Sequence, residues 1–418
     1  MQTNKEVCSF LEERLVRYCK VDTQSDPESP TAPSTSCQLD LSRMLVEELQ
    51  AFGLTDAHVT SYGAVLATLP SNLDRTVPTI AFVAHVDTAP AFNASGVVPI
   101  VHRNWDGSDI VLPDNTDIVL SADAFDILRR KKGEDIITAS GTTLLGADDK
   151  AGVAVAMGLV KFLTEHPEVP HGDIRICFTP DEEIGRGVGD ELPKDIAADF
   201  AYTLDGEQPG ELTFESFSAD AATVTIEGVS IHPGHAKDTL VNALFLAAKF
   251  VNTLPQNRMT PETTSGREGF IFIDEISGSA AVCKVDMILR SFELEGLAAH
   301  RALIAETCEV LAKTEPRAKV SVEFREQYRN MRYWLEDDMR PVMMAREAIE
   351  EVGLTVVETP IRGGTDGSLL TEKGVPTPNL FAGMYNVHGP YEFASVQDME
   401  KSLHVCILLC QKWAGQQQ

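Results

Sequence analysis

Imidazole and carboxylate side chains recur in this sequence at the ends of short apolar runs. His85-Val86-Asp87 closes the run TIAFVAH, Asp181-Glu182-Glu183 follows DIRICFT, Asp205 closes FAYTL, and His388 stands in a Gly-rich turn after PNLF. A fifth group, Asp148-Asp149, lies in GADDKAG, directly ahead of an apolar segment with helical spacing. Imidazole and carboxylate ligands without thiolate suit Zn2+, Mn2+ or Co2+. Two histidines and several carboxylates exceed what one tetrahedral ion needs, whereas two ions sharing a bridging carboxylate would use them all.

Each group also has a plainer reading. A His-x-Asp at a strand end can be a local hydrogen bond, DEE a solvated loop, and GADDKAG an N-cap followed by a turn. Together they favour a metal site, because burying so many carboxylates at one sheet edge without a cation is costly. GRGVGD at 185–190 has the wrong spacing for a dinucleotide-binding G-x-G-x-x-G, and it follows an acidic tripeptide that would repel a pyrophosphate.

These side chains meet only if the fold brings the segments to one edge. Residues 79–85, 173–179 and 200–204 read as buried strands and residues 151–165 as a helix. That alternation predicts an α/β unit with a mostly parallel sheet and helices on both faces, in which ligands collect at the carboxyl ends of strands. From about residue 211 the pattern changes. ELTFESFSADAATVTIEGV alternates as exposed strands do, and a helix at 239–254, strands at 270–276 and 282–290, a helix at 294–313 and a strand at 318–325 follow. This is a smaller α+β two-layer unit. After Tyr328 the α/β pattern resumes with a helix at 338–352, the strands LTVVET and PNLF, and a closing helix at 396–413. The expectation is a discontinuous catalytic domain, 1–210 and 328–418, split by an inserted domain at 211–327.

Composition narrows the partners. At 418 residues the chain is long enough for two domains. A net charge of −28 makes nucleic acid and anionic membrane surfaces poor partners, since both are bound through Lys and Arg. No apolar run approaches the length of a membrane span. The eight cysteines are scattered and form no C-x-x-C pair, which points to free thiols in a reducing compartment, the cytoplasm. The first twenty residues read as an amphipathic helix with neither the apolar stretch nor the cleavage site of a secretory signal.

The segments AHVDTAP, LLGADDKAG, DEEIGRG, TLDG, SIHPGHAK, RGGTDGS and YNVHGPYE resemble, in order and spacing, the motifs of the M20 metallopeptidase family over nearly the whole chain. GADDKAG, the HPG-x-AK stretch and RGGTDGS point to its tripeptide aminopeptidase branch. The resemblance implies two Zn2+ per subunit, with Mn2+ or Co2+ as possible substitutes. One ion would be held by His85, Asp148 and Asp205, the other by Asp148, Glu183 and His388, with Asp148 bridging. It further implies Glu182 as general base, Asp87 as the carboxylate that orients His85, and a cis peptide after Asp148.

In the inserted lid or dimerisation domain, the resemblance gives His232 the task of stabilising the oxyanion, typically in a partner subunit's site, and so implies a homodimer. The plain reading of His232 is a turn residue beside Pro233-Gly234. Asn242 and Arg290 are candidate substrate contacts, although Ser291 stands where the family commonly shows an acidic residue near the arginine. Arg362 could bind a peptide's terminal carboxylate through its planar fork, a surface salt bridge being the alternative.

The activity so implied is release of the N-terminal residue from short peptides, tripeptides foremost. An activated water would attack the first peptide bond, with Glu182 acting as base and then acid. Dipeptidases, carboxypeptidases and N-acyl amino acid deacylases of the family use the same zinc ligands and are the alternative. A catalytically silent binding protein would lack the base or a ligand, yet Glu182 and all five ligand positions are present.

Overall fold

The computed structural model describes residues 4–416, so the helix expected at the N-terminus is described from Lys5 to Cys19, and residues 1–3 of that expectation lie outside the described residues. Asn4 caps this helix, its side chain accepting from the N–H groups of Glu6 and Val7. The chain forms two compact units. The larger comprises residues up to Phe214, Trp334–Thr359 and the chain from Thr365 on; the smaller is Glu215–Tyr333 with Pro360–Gly364.

These borders differ from those read in the sequence, and long-range pairing explains why. Glu211–Thr213 is a strand of the large sheet, parallel to Val357–Glu358 and antiparallel to Asn379–Phe381. Residues 330 and 331 are tied to Ser216 by three-ångström hydrogen bonds (Ser216 N to Asn330 Oδ1 3.1 Å, Met331 N to Ser216 Oγ 3.2 Å), and Ile361 N donates to Glu215 O at 2.9 Å. Such non-local pairs leave no trace in periodicity.

The large sheet has eight strands in the order His58–Val59, Val65–Leu69, Ile174–Thr179, Ile80–His85, Phe200–Gly206, Asn379–Phe381, Glu211–Thr213, Val357–Glu358. Its middle is parallel, from Ile174–Thr179 across to Asn379–Phe381. Antiparallel pairs flank that middle, beginning with Val65–Leu69 on one side and Glu211–Thr213 on the other, so the sheet is mixed. Ile80–His85 is buried at every position, as a strand covered on both faces must be. Ala81, Val83, Leu66 and Cys177 face Leu192, Ile196 and Leu370, whereas Phe82 on the opposite face stacks on Tyr202. On that second side the helix Ala147–Glu165 packs on Ile80–His85 and against Lys5–Cys19 and Val396–Ala414.

The helix Ala147–Glu165 can approach because its inner positions are small. A Cβ on Gly152 would lie 2.1 Å from the carbonyl of Leu204 and 2.5 Å from Oδ1 of Asp149. Any larger residue would push the helix away from the strand that carries Asp205. The stretch 86–146, without clear periodicity in sequence, supplies the strands Ile100–His102 and Ile136–Thr138 of a small sheet completed by Met384–Tyr385 and Phe393–Ser395.

The smaller unit is a four-stranded antiparallel sheet in the order Phe270–Gly278, Val282–Ser291, Ser218–Glu227, Lys319–Tyr328. The helices Ala243–Thr253 and Leu294–Thr314 pack on it around Val224, Ile226, Phe250, Val285, Leu289 and Ile304. The first of these helices starts at 243 rather than 239, because Asn242 caps it by accepting from Leu244 N at 2.9 Å. All eight cysteines are unpaired, and seven are buried. No helix among the described residues is long and apolar enough to cross a membrane.

Candidate metal centre

His85 and Asp205 close neighbouring parallel strands, and Glu182 and Glu183 form a short 3-10 turn just past the strand next to them, Ile174–Thr179. Asp148 and Asp149 sit at the start of the helix Ala147–Glu165 but have non-helical backbones, and the peptide between them is cis. His388 lies beyond Met384–Tyr385 in the left-handed region, at φ 65°. Thus the two acids form a non-helical stretch at the head of the helix, in keeping with the loop that the sequence places there.

Asp148 is central. Its Oδ1 lies 3.0 Å from Nε2 of His85, and its Oδ2 lies 3.0 Å from Nε2 of His388. Nε2 of His388 is also 2.9 Å from Oε2 of Glu183, and Nε2 of His85 is 3.9 Å from Oδ1 of Asp205. Within this cluster, His85, Asp148 and Glu183 bring ligand atoms within 4.8 Å of one another, as do His85, Asp149 and Asp205.

Asp87 is fully buried and organises two of these groups. Its backbone carbonyl and Oδ1 lie 3.1 Å and 3.4 Å from Nδ1 of His85, which leaves Nε2 facing Asp148 and Asp205. The same carboxylate accepts from Glu182 N at 3.0 Å through Oδ1 and from Glu183 N at 3.2 Å through Oδ2. The loop is held from its other side by Asp181, in the left-handed region at φ 58°, whose carboxylate accepts from Ser34 N at 2.6 Å and Gln38 Nε2 at 2.7 Å.

Burial dominates the electrostatics of these acids, and their crowding adds to it. Burial pushes Glu182 well above the ordinary carboxyl range, and Asp205, Asp366 and Glu183 add to the rise against His85. Burial and then Asp149 and Asp148 raise Asp205; burial and Asp148 raise Glu183. Asp148 alone is held low: burial opposes this, but His388 and His85 outweigh it. In return Asp148 and Glu183 raise His388 to about 11, and hydrogen bonds to Asp148 and Asp87 lift His85 against its own desolvation.

The residues present fit metal ions. Donor atoms about 2.0–2.2 Å from one tetrahedral zinc lie roughly 3.3–3.6 Å from each other, and the separations of 2.9–3.9 Å between these imidazole and carboxylate atoms bracket that spacing. Oε1 of Glu183 is buried without a hydrogen-bond partner, which is expensive for a carboxylate unless a cation takes it.

The remaining candidates belong to the smaller unit. His232 is exposed, and its Nδ1 accepts from Gly234 N at 3.1 Å. Arg290 donates to Gln327 Oε1 at 2.9 Å and lies 5.5 Å from the Tyr328 ring. Arg362 donates to the carbonyls of Gly266 and Glu268 at 2.9 and 2.8 Å and to Thr264 Oγ1 at 2.8 Å, with Phe217 and Phe270 beneath its plane. Its guanidinium therefore holds the loop 264–268, a role that neither the substrate reading nor the surface salt bridge anticipated.

Three acids in or beside this centre were not assigned from sequence. Asp149 accepts from His85 N and Gly152 N, both at 3.2 Å. Asp366 accepts from Thr179 Oγ1 at 2.5 Å. Glu392 accepts from Leu145 N, Gly146 N and Asp148 N. The available signal was their position, each acid lying inside or next to a motif already singled out.

The model of "Peptidase family M20/M25/M40" matches residues 135–412 of this chain. The protein called Peptidase T from Geobacillus thermodenitrificans is 47% identical over 397 residues, covering 95% of this chain and 96% of that one. Among solved structures, the aminopeptidase PepT of Bacillus cereus superposes with a TM-score of 0.74 at 23% identity, over 97% of this chain and 99% of the other. A dinuclear metal-binding peptidase of the M20 family from Bacillus subtilis superposes at 0.67 and 14% identity, over 98% and 99%.

Proposed function

The chain belongs to peptidase family M20/M25/M40 and is a metal-dependent peptidase, and from that premise we propose a two-zinc aminopeptidase that releases the N-terminal residue of short peptides, tripeptides foremost. The observation that carries the two-ion reading is the division of Asp148, one oxygen facing each histidine. His85, Asp148 and Asp205 would hold one ion, and Asp148, Glu183 and His388 the other; Mn2+ or Co2+ suit the same donors. The dinuclear metal-binding relative from Bacillus subtilis favours the same count. Held by these residues, such ions would supply Lewis acidity, lowering the pKa of a water towards neutrality and polarising a scissile carbonyl.

The chain's own groups do the proton work. Glu182 hydrogen-bonds to neither histidine, and its backbone is pinned by Asp87, so its carboxyl is free to take a proton from the attacking water and return it to the leaving amine. In His232, an Nδ1 that accepts from Gly234 leaves the hydrogen of the neutral ring on Nε2, the form that donates to an oxyanion.

A homodimer through the smaller unit is favoured by its exposed apolar residues. Phe245 is 71% exposed on the helix Ala243–Thr253, and Ile276 and Val282 are exposed where the edge strand Phe270–Gly278 turns into its neighbour. Eight unpaired cysteines favour a reducing compartment, the cytoplasm.

The test is a substrate panel run with Zn2+, Mn2+ and Co2+ in turn. Free-amine tripeptides should be cleaved at the first bond, faster than dipeptides and far faster than N-acetylated analogues. Preference for the blocked compounds would assign a deacylase, and preference for dipeptides a dipeptidase.

A further inference from the structure

We propose that Glu392 is a positioning residue for Asp148, fixing the turn at 145–148 so that the shared carboxylate presents one oxygen to each side; this rests on the two-metal reading above. Glu392 is 1% exposed. Its Oε2 accepts from Leu145 N at 2.7 Å and Gly146 N at 2.8 Å, and its Oε1 accepts from Asp148 N at 3.0 Å. Its hydrogen bonds go to these three N–H groups, and the buried Lys150 adds a longer-range attraction. Three donors from one turn converging on both oxygens of one buried anion define the orientation of that turn closely.

The turn needs such a support because the helix does not supply it. Gly146 has φ 76°, and Asp148 (φ −79°, ψ 107°) and Asp149 (φ −113°, ψ 33°) depart from helical geometry at the point where the bridging side chain must be aimed. The amide of a residue in a first helical turn has no acceptor within its own helix, and here Glu392 provides it. Asp149 secures the other side through His85 N and Gly152 N. Glu392 also lies four residues after His388 and immediately before the strand Phe393–Ser395, which pairs with Ile136–Thr138. One anchored segment thus carries both the imidazole that faces Oδ2 of Asp148 and the carboxylate that holds the Asp148 amide. A change at 392 therefore reaches the metal ligands by two routes, though Glu392 touches neither histidine.

Glu392→Gln keeps the shape but sets an NH2 group against an N–H donor. Glu392→Asp keeps the charge on a shorter arm. Both variants and the wild-type protein are titrated with Co2+, following uptake by competition with a chelator and ligand geometry by the visible absorption spectrum, with circular dichroism to confirm folding. The Gln variant should bind Co2+ about 10–100-fold more weakly, with an altered spectrum and a lower kcat at a KM within about threefold of wild type. The Asp variant should fall between, and it gives the answer if the Gln variant does not fold. A folded variant with the affinity and spectrum of a two-ion wild type would overturn the role given to Glu392 alone. A wild type that takes up fewer than two ions would overturn the two-metal reading on which it rests.

Discussion

Nε2 of His388 lies 3.0 Å from Oδ2 of Asp148, on the opposite side of that carboxylate from His85. A carboxylate serving one ion has no need of imidazoles on both flanks. Glu183 stands beside His388 and Asp205 beside His85, which in the proposed two-ion centre makes two half-sites joined at Asp148. Burial raises the proton affinities of Glu182, Glu183 and Asp205, and the neighbouring acids add to the rise.

Glu182→Gln separates proton transfer from metal binding. The amide is nearly isosteric and cannot act as a base, so kcat should fall about 10²–10⁴-fold, while metal uptake measured by isothermal titration stays within twofold of wild type. Turnover retained in this variant would remove Glu182 from the mechanism.

Asp87→Asn tests the organising carboxylate. One of its oxygens becomes an NH2 that faces the amide of Glu182 or Glu183 instead of accepting from it. Metal affinity or activity should drop about 10–100-fold, which a competition titration with a chromophoric chelator measures. An unchanged affinity together with unchanged activity would show that His85 and the 182–183 turn hold themselves.

How much of this was legible in the sequence depended on whether the information was local. Ile80–His85 is an uninterrupted buried strand ending in a histidine, and its sequence says so because both faces are covered. The strand-end acids at 182, 183 and 205 were legible for the same reason. Asp366 and Glu392 were not, since their importance comes from partners at 179 and at 145–148, far away along the chain. Arg362 shows the same limit: its bonds to Gly266, Glu268 and Thr264 lie about a hundred residues away along the chain and leave no trace in the Gly-rich motif. The motif RGGTDGS is itself divided, its first residues belonging to the smaller unit and Thr365 onward to the larger.

Asp366 gives a pH signature. Burial pushes its carboxyl up to about 7; the Thr179 hydroxyl and His85 pull it down, and Asp87 raises it. The unfolded value is about 3.9, so the stability tied to this group is fully present below about pH 4 and is lost as pH rises through 7. Asp366→Asn carries no charge to bury and keeps an oxygen for Thr179. By scanning calorimetry its melting midpoint should exceed that of wild type by about 2–4 °C at pH 8 and converge with it near pH 4. An offset independent of pH would contradict this assignment.

Phe245→Asp places a charge on the exposed apolar face of the smaller unit. If that face joins two copies, sedimentation velocity at micromolar concentration should show wild type as a dimer and the variant shifted towards monomer. Identical sedimentation of the two proteins would place any association elsewhere.

The most direct measurement is the number of metal ions bound per chain when activity is complete. The metal-free protein is titrated with Zn2+ while tripeptide hydrolysis and bound metal, by plasma mass spectrometry, are followed together. Two equivalents are predicted at full activity, with Asp148→Asn losing tight binding at both positions because its carboxylate serves each. Full activity at one equivalent, or an Asp148→Asn protein that still binds two ions tightly, would contradict a centre bridged by Asp148.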